Sequence, residues 1–436
     1  MIGRLVSGAS ALLLVGAVVV AEQLPHAEPP AVEALHVSVE PEAQPLACPG
    51  RVEVPVGDID AGGEDVDPGS DDVTYIVFAD DIDGAGAGFT TPGLAGATIE
   101  RVGSGDVEGL STASCGDALA DQWLVGGTTR LGSSARLVLT NPTAASTEVT
   151  VEVYGALGAI EERTVVSVGP GGQADLLLEA IAPELPALVV HVAATGAGVA
   201  AALQDSRLDG FQPLGTDWVV PGAGPSTSLL VPVVGASGAA ATTLRLLAPE
   251  GASVDLALDS PDGAVAWGGV SPLALEPGVV TEVAVPAVAA GAITIEADAP
   301  VVAGAMTRVE REVEDGPRDA VAADLAWSAA VAADDVGERA AVVPDPGAQL
   351  VVHAVEAGDF VLVDEDGEEL RVIALAAGQT VVEPLDLDRG TVVAAEGPFV
   401  WGLRVQTSPG YLTILAPRVT VVEPRDVTAL EGPYVP

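Results

Sequence analysis

Histidine is the side chain best suited to proton transfer near neutral pH, and this chain of 436 residues carries four. His26 and His36 lie in a Pro-rich, acidic stretch. His191 and His353 each fall inside an alternating apolar run, Leu188-Val-Val-His-Val192 and Leu350-Val-Val-His-Ala354. Either could serve as a general base. Their non-equivalent places inside strand patterns read instead as ordinary strand positions. The chain has no Gly-x-Ser-x-Gly elbow, no His-Glu-x-x-His and no P-loop, so no motif supports a hydrolase or a zinc enzyme. Gly84-Ala-Gly86-Ala-Gly88 has the look of a phosphate loop. The third spacing is wrong, no helix pattern comes after it, and Asp80, Asp81 and Asp83 would repel a pyrophosphate.

Carboxylates are abundant, 63 against 17 basic residues. Ten of them fall between Asp58 and Asp83 with no basic residue among them. Hard cations take oxygen ligands at short alternate spacing, which makes Asp58, Asp60, Asp65 and Asp67 the calcium candidates. The full calcium-loop spacing is missing, so the run reads as a solvated loop, or one loosely cation-bound. Asp364-Glu-Asp366-Gly367-Glu-Glu369 looks like half a calcium loop. Asp-Gly is also the preferred type I′ hairpin pair, and a turn is the reading adopted. Trp218 and Trp327 stand ahead of apolar runs that open new repeats, and Trp267 and Trp401 stand within strands. Exposed on a sandwich they could stack on sugar rings; packed at cores and junctions they would supply burial. Packing is the expectation. Cys48 and Cys115 are the two cysteines. Neither has a Cys or His at ligand spacing, so one disulfide is expected. It would stabilise by roughly 4 kcal/mol on the loop-entropy model.

The elements that must position these residues come in repeats. Leu137-Val-Leu-Thr-Asn-Pro142 leads into Val149-Thr-Val-Glu-Val-Tyr154, a Gly-rich turn and a further alternating run to Val168. The block returns at Leu244 and at Leu350, 107 and 106 positions apart. Apolar residues at every second position, split by Gly and Pro, mark strands. About seven strands in about a hundred residues is the rhythm of an antiparallel β-sandwich. The fold class is therefore all-β, with tandem Ig-like sandwich repeats. The one helix candidate is Glu179 to Leu185. Ahead of the repeats, Val52-Glu-Val54, Val73 to Phe78 and Thr98 to Val102 read as strands.

Shifts in composition and pattern divide the chain. Residues 1–21, with Arg4 before the apolar run Leu5 to Ala21, form a signal peptide or membrane anchor. Residues 22–47 are a Pro-rich acidic linker, and 48–121 an N-terminal β region holding the acidic loop. Residues 122–218, 219–325 and 326–422 are the three sandwiches, and 423–436 a tail. The chain beyond the signal lies outside the cytoplasm, secreted or anchored to the envelope. A formal net charge of -46 argues against nucleic acid as a partner and against polybasic docking to lipid. Every basic residue is Arg, and Asn141 is the single Asn.

Cys48-Pro49, Ser114-Cys115-Gly116, Trp123-Leu-Val-Gly-Gly127, Leu137-x-Leu-x-Asn-Pro142 and Gly215-Thr-Asp-Trp218 carry a resemblance. Behind an export signal, they resemble a family of actinobacterial exported proteins of unknown function, sometimes labelled "large extracellular alpha-helical protein". The resemblance covers most of the chain from Cys48. It implies an envelope-associated protein and no catalytic residues. The label conflicts with the alternation, which points to strands. The expected function is that of a non-enzymatic cell-envelope scaffold or binding module for wall glycan or another envelope protein, without cofactor. The alternatives are an envelope polysaccharide enzyme with a carboxylate pair, and a calcium-dependent adhesin.

Overall fold

Period-two burial is the local rule of this chain. Thr147–Gly155 buries every second residue from Thr147 to Gly155 and leaves the others at least partly open, as a half-buried strand requires. The computed structural model describes residues 33–39, 45–53, 73–78, 88–89, 94–420 apart from 162, 211, 239, 312–321, 336 and 408–409, and 425–431. The chain divides into two units, residues 1–42 with 422–436, and residues 43–421. The described part of the smaller unit is one antiparallel ribbon, Glu33–Val39 paired with Arg425–Glu431.

In the larger unit the first sheet is antiparallel: β1 (Val73–Phe78), β2 (Ala97–Val102) and β3 (Gly109–Ser114), side by side in that order. The first sandwich runs β4 (Asp121–Val125), β5 (Ser133–Thr140), β6 (Thr147–Gly155), β7 (Thr164–Val168) and β8 (Gln173–Leu177). A single helical turn α1 (Leu178–Ile181) comes next, then β9 (Leu188–Ala194), β10 (Ala200–Asp209) and β11 (Gln212–Val219). The second has β12 (Ser226–Val234), β13 (Ala240–Leu247), β14 (Ala252–Ser260), β15 (Thr281–Val285), β16 (Gly291–Arg311) and β17 (Ala322–Ala329). The third has β18 (Arg339–Val342), β19 (Gln349–Ala354), β20 (Gly358–Asp364), β21 (Glu369–Leu375), β22 (Thr380–Pro384), β23 (Val392–Ala395), β24 (Phe399–Thr407) and β25 (Tyr411–Leu415).

One sheet has the same antiparallel order in all three sandwiches: β8-β5-β10-β11, β15-β13-β16-β17 and β22-β19-β24-β25. The facing sheets are β6-β9-β4 with β7 on β6, then β14-β16-β12, then β21-β20-β23-β18. β16 is long enough to serve both sheets of the second sandwich, pairing with β12 and β14 early and with β13 and β17 late. Leu137, Leu244 and Leu350 occupy the same strand of the same sheet. They face Leu203, Ala305 and Leu403, and all three are buried. The all-β sandwich reading holds.

Several local expectations change. Trp218 and Trp327 come ahead of the opening strands of the second and third sandwiches, but they lie within strands themselves, on β11 and β17, which close the first and second sandwiches. The boundary read at 325 thus falls inside β17. Trp267 lies outside any strand. Arg51, Val52 and Glu53 form no strand, and Val54 lies outside the described residues. The helix is one turn, Leu178–Ile181, ending short of Leu185. The Asp366-Gly367 turn has positive φ at Gly367 alone and a register shift beside it. It is therefore a bulged hairpin rather than type I′.

The three sandwiches are not beads on a string. β3, β11, β17 and β25 pack on one another in a closed cycle, each touching the next and β25 touching β3. Leu325 and Trp327 of β17 enter the core of the first sandwich. Ala97, Ile99 and Leu110 enter the core of the third. Val52, Val102 and Val107 pack with Val138, Ala202 and Trp218 of the first. The N-terminal sheet therefore joins the last sandwich to the first. Cys48 and Cys115 are disulfide-bonded and buried within it. Gln204 holds the strap after Cys48, accepting from Glu53 N (3.0 Å) and donating to Glu53 O (2.8 Å).

Candidate functional site

A gathering of proton-transfer and hydrogen-bonding groups lies on the outer side of β4, β9 and β6. Antiparallel register sets His191 between Trp123 and Glu152. His191 Nε2 lies 2.7 Å from Asp121 Oδ2, and Nδ1 lies 3.4 Å from Glu152 Oε2. A neutral imidazole can donate to only one of those carboxylates. The ring stacks on Trp123 with centroids 4.2 Å apart. The Tyr154 hydroxyl donates to Glu152 Oε2 at 3.2 Å, and Arg163 Nε lies 2.7 Å from Glu152 Oε1. Burial, then the Glu152 charge, pushes the Tyr154 phenol up.

Beside this cluster is a shallow depression of about 230 Å³ bordered by Glu152, Tyr154, Ile160, Glu161 and Arg163. Carboxylates can accept hydrogen bonds from hydroxyls, a guanidinium can donate, and a half-buried ring offers an apolar face. Trp123 itself is 6% exposed, so it supports the patch from below.

A second polar cluster is buried where β3, β11, β17 and β25 meet. Asp217 of β11 accepts from Trp327 N (2.8 Å) and from the Thr413 hydroxyl (3.2 Å). Thr413 pairs with Thr112 at 2.8 Å. Since Thr413 gives its one proton to Asp217, Thr112 is the donor in that pair. Asp324 of β17 accepts from the backbone of β3 and of β25. Both carboxyls are pushed well above the ordinary aspartate range, chiefly by burial.

Of the residues singled out in the sequence, Asp58, Asp60, Asp65 and Asp67 lie outside the described residues, as do Gly84 and Gly86. Among the described residues no three His, Cys, Asp or Glu side chains group as metal ligands. Asp364 Oδ1 accepts from Asp366 N and Glu368 N, closing its own turn. His353 is buried beside Thr380 at 3.0 Å, and burial lowers its basicity. Trp218, Trp327 and Trp401 are buried. Trp267 is part-buried and donates to Ala284 O. Trp218, Trp327 and Trp401 are therefore not stacking platforms. Sequence reasoning passed over Asp121, Glu152, Tyr154 and Arg163. The parity of Glu152 and His191 within their strands marks both as outward-facing, but only the pairing of β6 with β9 brings them together.

A model of a family of unknown function, DUF5719, matches residues 71–385. The chain belongs to that family. The match takes in the N-terminal sheet, the first two sandwiches and most of the third. No curated protein matches. Among solved structures, a chain described as "Biofilm associated protein - BSP domain" aligns at 10% identity with a TM-score of 0.13. The alignment covers 84% of this chain and 66% of that one, just under two thirds of its length. No helix among the described residues is long and apolar enough to cross a membrane.

Proposed function

We propose that this DUF5719 member is a non-enzymatic, extracytoplasmic scaffold of an actinobacterial cell envelope that binds wall glycan or another envelope protein. The observation supporting this best is the closed cycle of four β units about a hydrogen-bonded axis. A body built this way holds its outer faces fixed, which lowers the ordering cost of binding. The patch around His191 and Glu152 offers one such face with groups suited to hydroxyls. The apolar run after Arg4 and the buried disulfide fit export. The test is retention of the purified chain on cell-wall fractions, with the double substitution Glu152→Gln and Tyr154→Ala as comparison. Retention that falls several-fold in the variant is expected. No retention of the wild type, together with an unaltered envelope in a deletion strain, ends this reading.

The polysaccharide-enzyme reading has one observation in its favour, two carboxylates brought against His191. Glycosidases place two carboxyls across the scissile bond, whereas Asp121 and Glu152 both lie against the same imidazole. Release of reducing sugar from wall polysaccharide, lost in Glu152→Gln, would transfer the assignment to that reading.

A further inference from the structure

His191 turns its two ring nitrogens on two different carboxylates. Nε2 lies 2.7 Å from Asp121 Oδ2 on β4, and Nδ1 lies 3.4 Å from Glu152 Oε2 on β6. Strand pairing sets both neighbours. On β9, His191 stands directly opposite Trp123 and Glu152, and Asp121 is two residues from Trp123 along β4. The ring stacks on the Trp123 indole at 16°, with centroids 4.2 Å apart. That stacking fixes the plane of the ring, and with it the directions in which the two nitrogens point.

The other groups around the ring are few. From β6 the Tyr154 hydroxyl donates to Glu152 Oε2 at 3.2 Å. From the segment before β7, Arg163 Nε lies 2.7 Å from Glu152 Oε1. Glu161 borders the depression beside them. From the second sandwich, Leu247, Val280 and Val302 pack with Trp123 and Tyr154 and bring no charge.

An imidazolium has an N–H on each nitrogen and donates to both carboxylates. A positive ring over an indole face is attracted further. A neutral ring has one N–H, and its other nitrogen turns a lone pair on a carboxylate oxygen, acceptor against acceptor. The 2.7 Å contact is that of a short charge-assisted bond, and the 3.4 Å contact is a long one. The neutral ring therefore keeps its proton on Nε2, towards Asp121. Nδ1 then loses its hold on Glu152 Oε2, which is left with Tyr154 as donor and with room for a second.

We propose that His191 is a proton-operated latch on this patch: protonated, it holds Glu152 against β9; neutral, it releases Glu152 Oε2 to accept from a ligand hydroxyl. This rests on the reading that the patch binds a hydroxyl-rich ligand such as wall glycan. Binding is weak in mild acid and strengthens once the imidazole is neutral. Asp121 is a positioning residue, because it decides which nitrogen keeps the proton.

The test follows retention of the full chain on a purified cell-wall fraction from about pH 5 to about pH 8, where an ordinary imidazole changes charge. The wild type should be retained several-fold better at the upper end. His191→Gln has no ring to titrate and should show no such rise beyond what the wall's own ionisation gives to every variant. Asp121 is 62% exposed, so Asp121→Ala disturbs little packing. It leaves the neutral ring to place its proton on Nδ1, towards Glu152, so the latch stays shut and retention stays weak throughout. Nitrogen NMR of the full chain labelled at histidine reads the ring directly, with the His191 signals identified by their absence from His191→Gln. Both nitrogens should carry protons in acid. Above the rise, Nε2 alone should do so in the wild type and Nδ1 alone in Asp121→Ala. Wild-type retention that follows the His191→Gln curve overturns the latch and leaves the binding reading standing. A neutral wild-type ring protonated on Nδ1, or a rise that survives in Asp121→Ala, overturns it equally. No retention at any pH ends the binding reading, and the regulation with it.

Discussion

At the scale of single residues, close approach between units is made by small side chains at equivalent places. Gly304 and Gly402 each precede the residue that faces the central leucine, and Ala202 has that place in the first sandwich. A Cβ at Gly304 would meet Val125 O at 2.6 Å, and one at Gly402 would meet Val233 Cγ2 at 2.8 Å. A backbone carbonyl cannot swing aside as a side chain can. Gly304→Ala should therefore cost about 1–3 kcal/mol by overpacking, and Gly402→Ala less, as read by urea unfolding. Equal, negligible losses would show that the joint has slack. The lone Asn141 is explained at this scale too. It is fully buried, and its Nδ2 donates to Ala145 O (2.8 Å) and Val168 O (3.0 Å). The axial pair Asp217 and Asp324 was not legible in the sequence. Each sits in a short alternating run like those that carry exposed aspartates. Nothing local distinguishes an aspartate that will be buried by three other units.

At the scale of elements, the sandwich strands were legible because one face of each is buried and period two records it. The joints between elements were not, because an outward face reads the same whether it meets water or a neighbouring sheet. The arginines show this. Arg245 on β13 is buried and donates to Gly127 O (2.7 Å) and Leu188 O (2.9 Å) of the preceding sandwich. Arg404 on β24 does the same with Gly235 O (2.9 Å) and Ala289 O (2.6 Å). Arg136 on β5 donates to Arg51 O at 2.8 Å. Arg136 pairs directly with Gln204, and Arg404 with Gln349, so first and third sandwiches carry the same two residues on exchanged strands. Burial lowers the basicity of Arg245 and of Arg404, yet each stays charged because arginine starts so high. Arg404→Met should fill the space and leave two carbonyls without donors. The expected cost is about 3 kcal/mol, measured as a shift in urea midpoint at unchanged slope. A shift no larger than that of an exposed arginine such as Arg163→Met would show that water replaces the guanidinium.

At the scale of the whole molecule, three repeats of a hundred residues would ordinarily unfold as separate domains, each with its own transition. The larger unit contradicts the premise of that expectation. Leu325 and Trp327, carried by the second sandwich, complete the core of the first, and the N-terminal sheet completes the core of the third. The disulfide spans 67 positions and ties the strap to β3's end, on the segment that joins last to first. Intact mass should rise on alkylation only after reduction. Losing the bridge should cost roughly 4 kcal/mol on the loop-entropy model. That loss should lower the stability of all four units together. The same logic governs Leu137→Asp, which places an unpaired charge in the first core. A bead-like molecule would lose one sandwich and keep two. In the closed cycle β11 is lost with that core, and the axis loses Asp217 and the donors it binds. Far-ultraviolet circular dichroism reports strands throughout. Tryptophan fluorescence is weighted to the junctions, where Trp123, Trp218 and Trp327 lie. The two probes should trace a single, superimposable urea transition in the wild type. Leu137→Asp should shift it as a whole and leave no intermediate plateau. Two resolved steps, or a variant that retains two thirds of the strand signal, would mean the cycle is an arrangement of independent folds.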